Sequence, residues 1–190
     1  MAGIRVISGK AKGRRLKMVP GGGTRPVTDR VKEALFNILG RDIVRTAFWD
    51  VFAGTGSVGI EALSRGAGYV SFTDNDRRAI DTIRENLAIT DLDGGVNVDR
   101  KDFFHLIQRP ASKKFDIVFL APPQYKGMWS QALSAFDSNR TWLHPDAWII
   151  AQIDPIEFEP LELTNFEKFD ERTYGSTMLL FYELINEEDE

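Results

Sequence analysis

Three observations predict an α/β fold with a mostly parallel sheet. An apolar run, Ala47 to Phe52, leads into Gly54-Thr55-Gly56-Ser57-Val58-Gly59, and a helical pattern, Ile60, Ala62 and Leu63, leads out. Strand, glycine-rich turn and helix form the opening unit of a doubly wound nucleotide-binding sheet. A second apolar run, Tyr69 to Thr73, ends in Asp74, about 20 residues past the first glycine, where such folds set an acid on a ribose. Further apolar runs alternate with helical patterns, and βαβα alternation implies a parallel sheet with helices on both faces.

The elements follow in order. Ile4 to Ile7 alternates weakly, and two glycines among the basic residues of Ser8 to Leu16 predict a hairpin or an adaptable loop. Pro20-Gly21-Gly22-Gly23 is a breaker. Thr24-Arg25-Pro26-Val27 is extended, because a residue before proline avoids the helical region. Thr28 then caps a helix whose buried face is Val31, Ala34, Leu35, Ile38 and Leu39 and whose end is Gly40. Arg30, Lys32 and Glu33 lie off that face, toward a ligand or water. Strands are expected near 47–52, 69–73, 96–99, 115–120 and 147–153, with helices near 58–65, 76–90 and 127–137 and a short one near 103–109. Asn75, Asp76 or Thr73 begins the second of these helices, and Ala79, Ile80, Ile83 and Leu87 are its apolar set. Asp91 and Asp93 with Gly94-Gly95 form a turn, not a calcium loop, since the other ligand positions are missing. Leu161 to Phe169 and Thr177 to Ile185 read as an antiparallel hairpin joined through residues 170–176. The acidic tail, Glu187 to Glu190, is solvating.

The composition, 43% hydrophobic and 27% charged over 190 residues, suits one compact domain with a small appendage. Cysteine is absent, which excludes disulfides, thiolate metal sites and cysteine nucleophiles. With only two histidines, His105 and His144, no metal site is expected. The N-terminus lacks the apolar core of a signal peptide and no run reaches membrane-spanning length, so no membrane role and a cytoplasmic monomer are expected. The net charge of −4 hides an asymmetry: residues 1–45 hold eleven basic side chains against three acids, +8, which leaves −12 on the remainder. A basic arm on an acidic body points to a polyanion, or to a solvated face with no partner. The expected division is an arm and helix over 1–45 and a nucleotide-binding domain over 46–190.

Two sites emerge. Gly54 and Gly56 allow a sharp turn and close approach of a ligand, Gly59 allows the helix to pack on the sheet, and the helix N-terminus offers free N–H groups. Asp74 accepts hydrogen bonds from ribose hydroxyls and repels a 2′-phosphate. This stretch does not separate NAD from S-adenosylmethionine (SAM). Asp102, after the third strand, either contacts a purine amino group or caps a helix. The second site is Ala121-Pro122-Pro123-Gln124-Tyr125, at the carboxyl end of the fourth strand, where open α/β sheets bind ligands. Two prolines fix φ twice and expose carbonyls outside any ladder; a rigid turn is the alternative.

The chain resembles the RsmD-like bacterial methyltransferases, which use SAM to methylate the exocyclic N2 of a guanine in small-subunit (16S) ribosomal RNA. The resemblance lies in Arg5-Val6-Ile7-Ser8-Gly9, Gly13-Arg14-Arg15-Leu16, the run Arg25 to Leu39, the run Phe52 to Ala67, and Tyr174-Gly175-Ser176-Thr177. It implies a Rossmann-like class I methyltransferase with an antiparallel C-terminal hairpin and a small basic N-terminal extension. It also implies that Phe52, Ala53, Gly54, Thr55, Gly56, Ser57 and Gly59 hold the methionine end of SAM, that Asp74 meets the ribose and Asp102 the adenine, with Asn75 and Phe103 beside them. The proline motif then holds the target base, and Lys10, Lys12, Arg14, Arg15, Arg25 and Arg30 grip the phosphates of ribosomal RNA, within a small-subunit particle. In the family this motif reads Asp- or Asn-Pro-Pro followed by an aromatic. Here Ala121 has no acceptor and Gln124 no ring. Tyr125 is the alternative stacking face, and Gln124 or the carbonyls of Ala121 and Pro122 the alternative acceptors. The departures also open the reading of a weak or inactive SAM- and RNA-binding assembly factor. An NAD-dependent oxidoreductase leaves the proline motif and the basic arm without a role.

Overall fold

The computed structural model describes residues 3–21 and 26–185. Gly22, Gly23, Thr24, Arg25 and the tail Glu187 to Glu190 lie outside the described residues. The chain forms two compact units, Met1–Phe103 and Phe104–Glu190.

The first unit opens with a small hairpin. Val6 N–H donates to Arg14 O, Gly13 N–H to Val6 O and Leu16 N–H to Ile4 O, at 2.8–2.9 Å, around an Arg5–Arg15 bridge. Ile4, Val6 and Leu16 are buried while Arg5, Arg14 and Arg15 face out, the alternation a hairpin imposes. Helix α1 (Asp29–Leu39) begins where Thr28 Oγ1 accepts from Val31 N–H and stops at Gly40, φ 53°. Its buried face is Val31, Lys32, Leu35, Phe36 and Leu39, rotated from the expected face, with Ala34 and Ile38 only half-buried. Phe36 and Lys32 join the buried face, and Lys32 is fully buried with Glu61 across from it. Its expected place off the buried face is therefore corrected.

Strands β1 (Ala47–Asp50), β2 (Tyr69–Asp74) and β3 (Val96–Arg100) pair in parallel in the order β3-β2-β1, with Asp50 opposite Phe72 and Asp74 opposite Arg100. Helix α2 (Ser57–Ser64) packs on β1 and β2, and α3 (Arg77–Thr90) on β2 and β3. Asp76 caps α3 by accepting from Arg78 N–H at 2.8 Å. A single turn, α4 (Phe103–Leu106), follows.

In the second unit the order is β4-β5-β7-β6. β4 (Phe115–Leu120) and β5 (Leu143–Ile153) are parallel; β7 (Thr177–Leu184) runs antiparallel to β5 and to β6 (Phe166–Tyr174). Helix α5 (Met128–Ser138) packs on β5. Seven strands in all make a mixed, mostly parallel arrangement ending in an antiparallel hairpin. That hairpin differs from its expected bounds. Its first strand is residues 166–174, not 161–169, and the turn shrinks to Gly175-Ser176, with Gly175 at φ 61°. Asp170 to Thr173 continue the strand because β6 is an edge, where one side of the strand stays in water.

Candidate functional site

In the first unit the chain after β1 turns through Val51 to Gly56 and enters α2. Gly54 and Gly56 stand at φ 55° and 75°, a region costly for any residue with a Cβ. Gly56 N–H donates to Ala53 O at 2.7 Å and Ala53 N–H to Thr73 O at 3.1 Å, which ties the loop to β2. The end of β2 holds it from the side: Asp74 Oδ2 accepts from Gly54 N–H and Oδ1 from Asp76 N–H, both at 2.9 Å. One carboxylate thus bridges the glycine loop and the entry to α3, and it remains half-exposed. Gly59 packs α2 on the sheet as expected; a Cβ there would sit 2.3 Å from the Phe72 ring.

The N-terminus of α2 is less open than expected. Asp50 Oδ2 accepts from Gly59 N–H at 3.0 Å and Thr55 Oγ1 from Ser57 N–H at 3.4 Å. A helix that enters through a glycine has no side-chain cap of its own, and these two residues serve instead. Burial pushes the Asp50 carboxyl up to about 8, the Gly59 N–H opposing and the charge of Asp74 adding to the rise.

Phe52 is half-buried, and its ring meets Phe103 edge-on at 5.6 Å. Phe103 is 2% exposed and also touches Trp49 at 6.0 Å, so its ring buttresses Phe52 from the core. Asn75 is exposed and its carbonyl accepts from Arg100 Nε at 3.2 Å. Asp102 is exposed just past the carboxyl end of β3. Glycine loop, Asp74 and Asp102 therefore lie at the carboxyl ends of three successive neighbouring strands, the edge where such sheets bind ligands.

Four buried polar residues, Asn86, Glu61, Lys32 and Ser64, organise this unit, and none stands among the sequence-predicted site residues. Asn86 donates from Nδ2 to Thr55 O at 2.9 Å and to Lys17 O at 3.1 Å, and accepts from Lys17 N–H at 2.7 Å. Glu61, fully buried, accepts from Ile7 N–H at 2.8 Å, Ser8 N–H at 3.0 Å and Arg65 Nε at 2.8 Å, with Lys32 Nζ at 3.8 Å. Lys32 Nζ also donates to Arg5 O at 2.5 Å, and burial pulls its ammonium below the ordinary lysine range against the pull of Glu61. Ser64 Oγ accepts from Ala11 N–H at 2.9 Å and donates to Ser8 O at 2.6 Å. The arm is thus fastened to α2 by backbone groups. Its cationic side chains Lys10, Lys12, Arg14 and Arg15 stay exposed, with no acidic partner among the described residues. Arg30 is exposed as well, and Arg25 lies outside the described residues. One signal was available for the network: each polar residue interrupts an apolar helix face, Glu61 between Ile60 and Ala62, Asn86 next to Leu87.

In the second unit β4 runs into the proline motif. Ala121 and Gln124 are half-buried, Pro122 is buried and Pro123 exposed. Tyr125 takes φ 61° and is 65% exposed. Two acids hold this unusual backbone: Tyr125 N–H donates to Glu157 Oε1 at 2.6 Å, and its hydroxyl to Asp154 Oδ2 at 2.7 Å. Asp154 and Glu157 themselves close a capping box over Pro155 to Glu157. The ring is held by its hydroxyl and stays largely exposed. Among the described residues no cluster of three or more His, Asp or Glu suits a metal, and no helix is long and apolar enough to cross a membrane.

The model of the family described as conserved hypothetical protein 95 matches residues 4–183. A Bacillus subtilis protein, named provisionally as an rRNA methyltransferase, is 38% identical over 94% of this chain and 98% of its own. The ribosomal RNA small subunit methyltransferase D of Haemophilus influenzae is 35% identical over 95% of this chain and 93% of its own. A solved Escherichia coli structure, assigned provisionally as a methyltransferase, superposes with a TM-score of 0.85 at 31% identity, covering 96% of this chain and 98% of that one. The fold is that of the class I methyltransferases.

Proposed function

Because the chain belongs to the family described as conserved hypothetical protein 95, the RsmD family that its sequence resembles, we propose that it transfers a methyl group from SAM to the exocyclic N2 of a guanine in small-subunit ribosomal RNA. The observation that carries this reading is the Asp74 bridge between the glycine loop and α3. The residues fit SAM. A carboxylate has about four acceptor directions, and Asp74 uses one on each oxygen, so acceptors remain for two ribose hydroxyls. Gly54 and Gly56 leave the backbone bare for the methionine end, which Phe52 flanks, while Asp102 serves the adenine end.

Bound SAM would supply an electrophilic methyl group to the guanine amino nitrogen, the thioether being the leaving group and one amino proton going to water. That nitrogen's lone pair is delocalised into the base, so this chain acts by orienting the nucleophile rather than by deprotonating it. The exposed Tyr125 ring stacks on the extruded base, and within the motif itself the acceptors on offer to its amino group are the carbonyls of Ala121 and Pro122 or the amide of Gln124. Lys10, Lys12, Arg14, Arg15, Arg25 and Arg30 hold phosphates, which supplies affinity without sequence choice. The proposed setting is a cytoplasmic monomer acting on a small-subunit particle.

A second reading, a SAM- and RNA-binding assembly factor without transfer, is favoured by Ala121 and Gln124 alone. Small-subunit particles lacking their own guanine-N2 methylation, incubated with the protein and methyl-labelled SAM, separate the two. Label in the RNA supports transfer. SAM and particles both bound, with no label, supports the assembly factor.

A further inference from the structure

The carboxyl end of β5 brings an unused hydrogen-bond acceptor next to the proline motif. β4 and β5 are parallel, with Phe119 opposite Ile150 and Leu120 opposite Ala151. One step further Ala121 comes level with Gln152. Residues level with each other on neighbouring strands share a face, about 4.8 Å apart. Gln152 Oε1 is buried and accepts no hydrogen bond among the described residues. Buried acceptors are as a rule satisfied, so this one calls for an explanation. The neighbouring motif offers one: Pro122 and Pro123 have no N–H to give, and the methyl of Ala121 has no donor either. Two residues on, Asp154 holds the hydroxyl of Tyr125 at 2.7 Å. The same strand end therefore anchors the stacking ring and carries a buried acceptor with no partner among the described residues.

We propose that Gln152 supplies, through Oε1, the acceptor for the exocyclic amino group of the target guanine, the role that an acid or amide at position 121 would otherwise fill. This inference rests on the proposed guanine-N2 methyl transfer. Gln152 lies on β5 level with the small Ala121, the residue that follows β4. Its amide oxygen takes one amino N–H and fixes the direction of the nitrogen lone pair. The second amino proton is the one lost to water, so the amide stays neutral throughout.

The test compares wild type, Gln152→Leu, Gln152→Met and the double variant Gln152→Leu/Ala121→Asn on hypomethylated small-subunit particles. It reads kcat, KM for particles, Kd for SAM and melting temperature. Losing one aimed hydrogen bond in a transition state lowers kcat on the order of a hundredfold. The expected result is that loss in Gln152→Leu, with SAM affinity within about twofold of wild type and the melting temperature retained. The double variant recovers kcat to within about tenfold of wild type, because an acceptor returns on the adjacent strand; a purely structural role for Gln152 gives no such rescue. Should Gln152→Leu not fold, Gln152→Met, equally long and without a strong acceptor, decides by the same loss. Wild-type kcat in Gln152→Leu or Gln152→Met overturns the assignment and leaves guanine-N2 transfer standing. Absence of N2-methylguanosine with the wild-type protein overturns both.

Discussion

Gly54 and Asp74 are joined by a 2.9 Å hydrogen bond from the backbone N–H of the first to Oδ2 of the second. The bond spans twenty residues of sequence and closes the loop after β1 onto the end of β2. It makes one carboxylate a structural clamp and, in the proposed site, a ribose acceptor, so that loss of the side chain would remove both. Hydrogen bonds to charged groups contribute about 1.5–3 kcal/mol each. Asp74→Ala is therefore expected to weaken SAM binding ten- to hundredfold in titration calorimetry, with affinity for RNA unchanged.

Glu61 has a different task. It is buried and accepts from the arm at Ile7 and Ser8 while facing Lys32. Glu61→Ala strands a buried ammonium, which costs about 3–5 kcal/mol, and frees residues 7 and 8 from α2. The expected outcome is a lower denaturation midpoint together with rapid tryptic cleavage at Lys10, Lys12, Arg14 and Arg15, sites slow to cut in wild type.

Asp50 links stability to pH. Its folded carboxyl is raised to about 8 from an unfolded value near 4. Between those values the folded state binds the extra proton, so stability falls as pH rises through this window, by up to about 1.4 kcal/mol per pH unit from this group. Asp50→Asn keeps an oxygen for Gly59 N–H and removes the titration. In urea unfolding, the stability of Asp50→Asn relative to wild type is expected to climb steadily from pH 5 to pH 8. A constant difference across that range contradicts the assignment.

In the proposed complex the exposed cations of the hairpin set RNA affinity. Each phosphate neutralised contributes about 0.7–0.9 to the slope of log affinity against log salt. The Arg14→Ala/Arg15→Ala variant is expected to lower that slope by about 1.5 in filter binding to ribosomal RNA, with SAM affinity intact. An unchanged slope removes this face from the RNA interface.

The parts legible in sequence share a cause: short-range signals wrote them. The glycine loop, Asp74, the cap at Thr28 and the alternation of strands and helices all follow from local periodicity and turn chemistry. The parts that stayed hidden depend on residues distant in sequence. Lys32 reads as a surface lysine until Glu61, 29 positions later, is set across from it. Asn86 reads as an interruption of an apolar face until Thr55 and Lys17 arrive to occupy it. The first hairpin strand was displaced because Asp170 to Thr173 look like a loop, yet an edge strand leaves their polar side chains in water. At the proline motif the departures at Ala121 and Gln124 were plain in sequence. Gln152 stood unmarked, since only the β4–β5 register brings it level with Ala121.

The central claim concerns the chemical identity of the product. Ribosomal RNA from hypomethylated small-subunit particles, treated with wild-type protein and labelled SAM, is digested to nucleosides and resolved by mass spectrometry. The account predicts that the label appears in N2-methylguanosine, at one site per particle. Label in any other nucleoside, or none while SAM is bound, contradicts it.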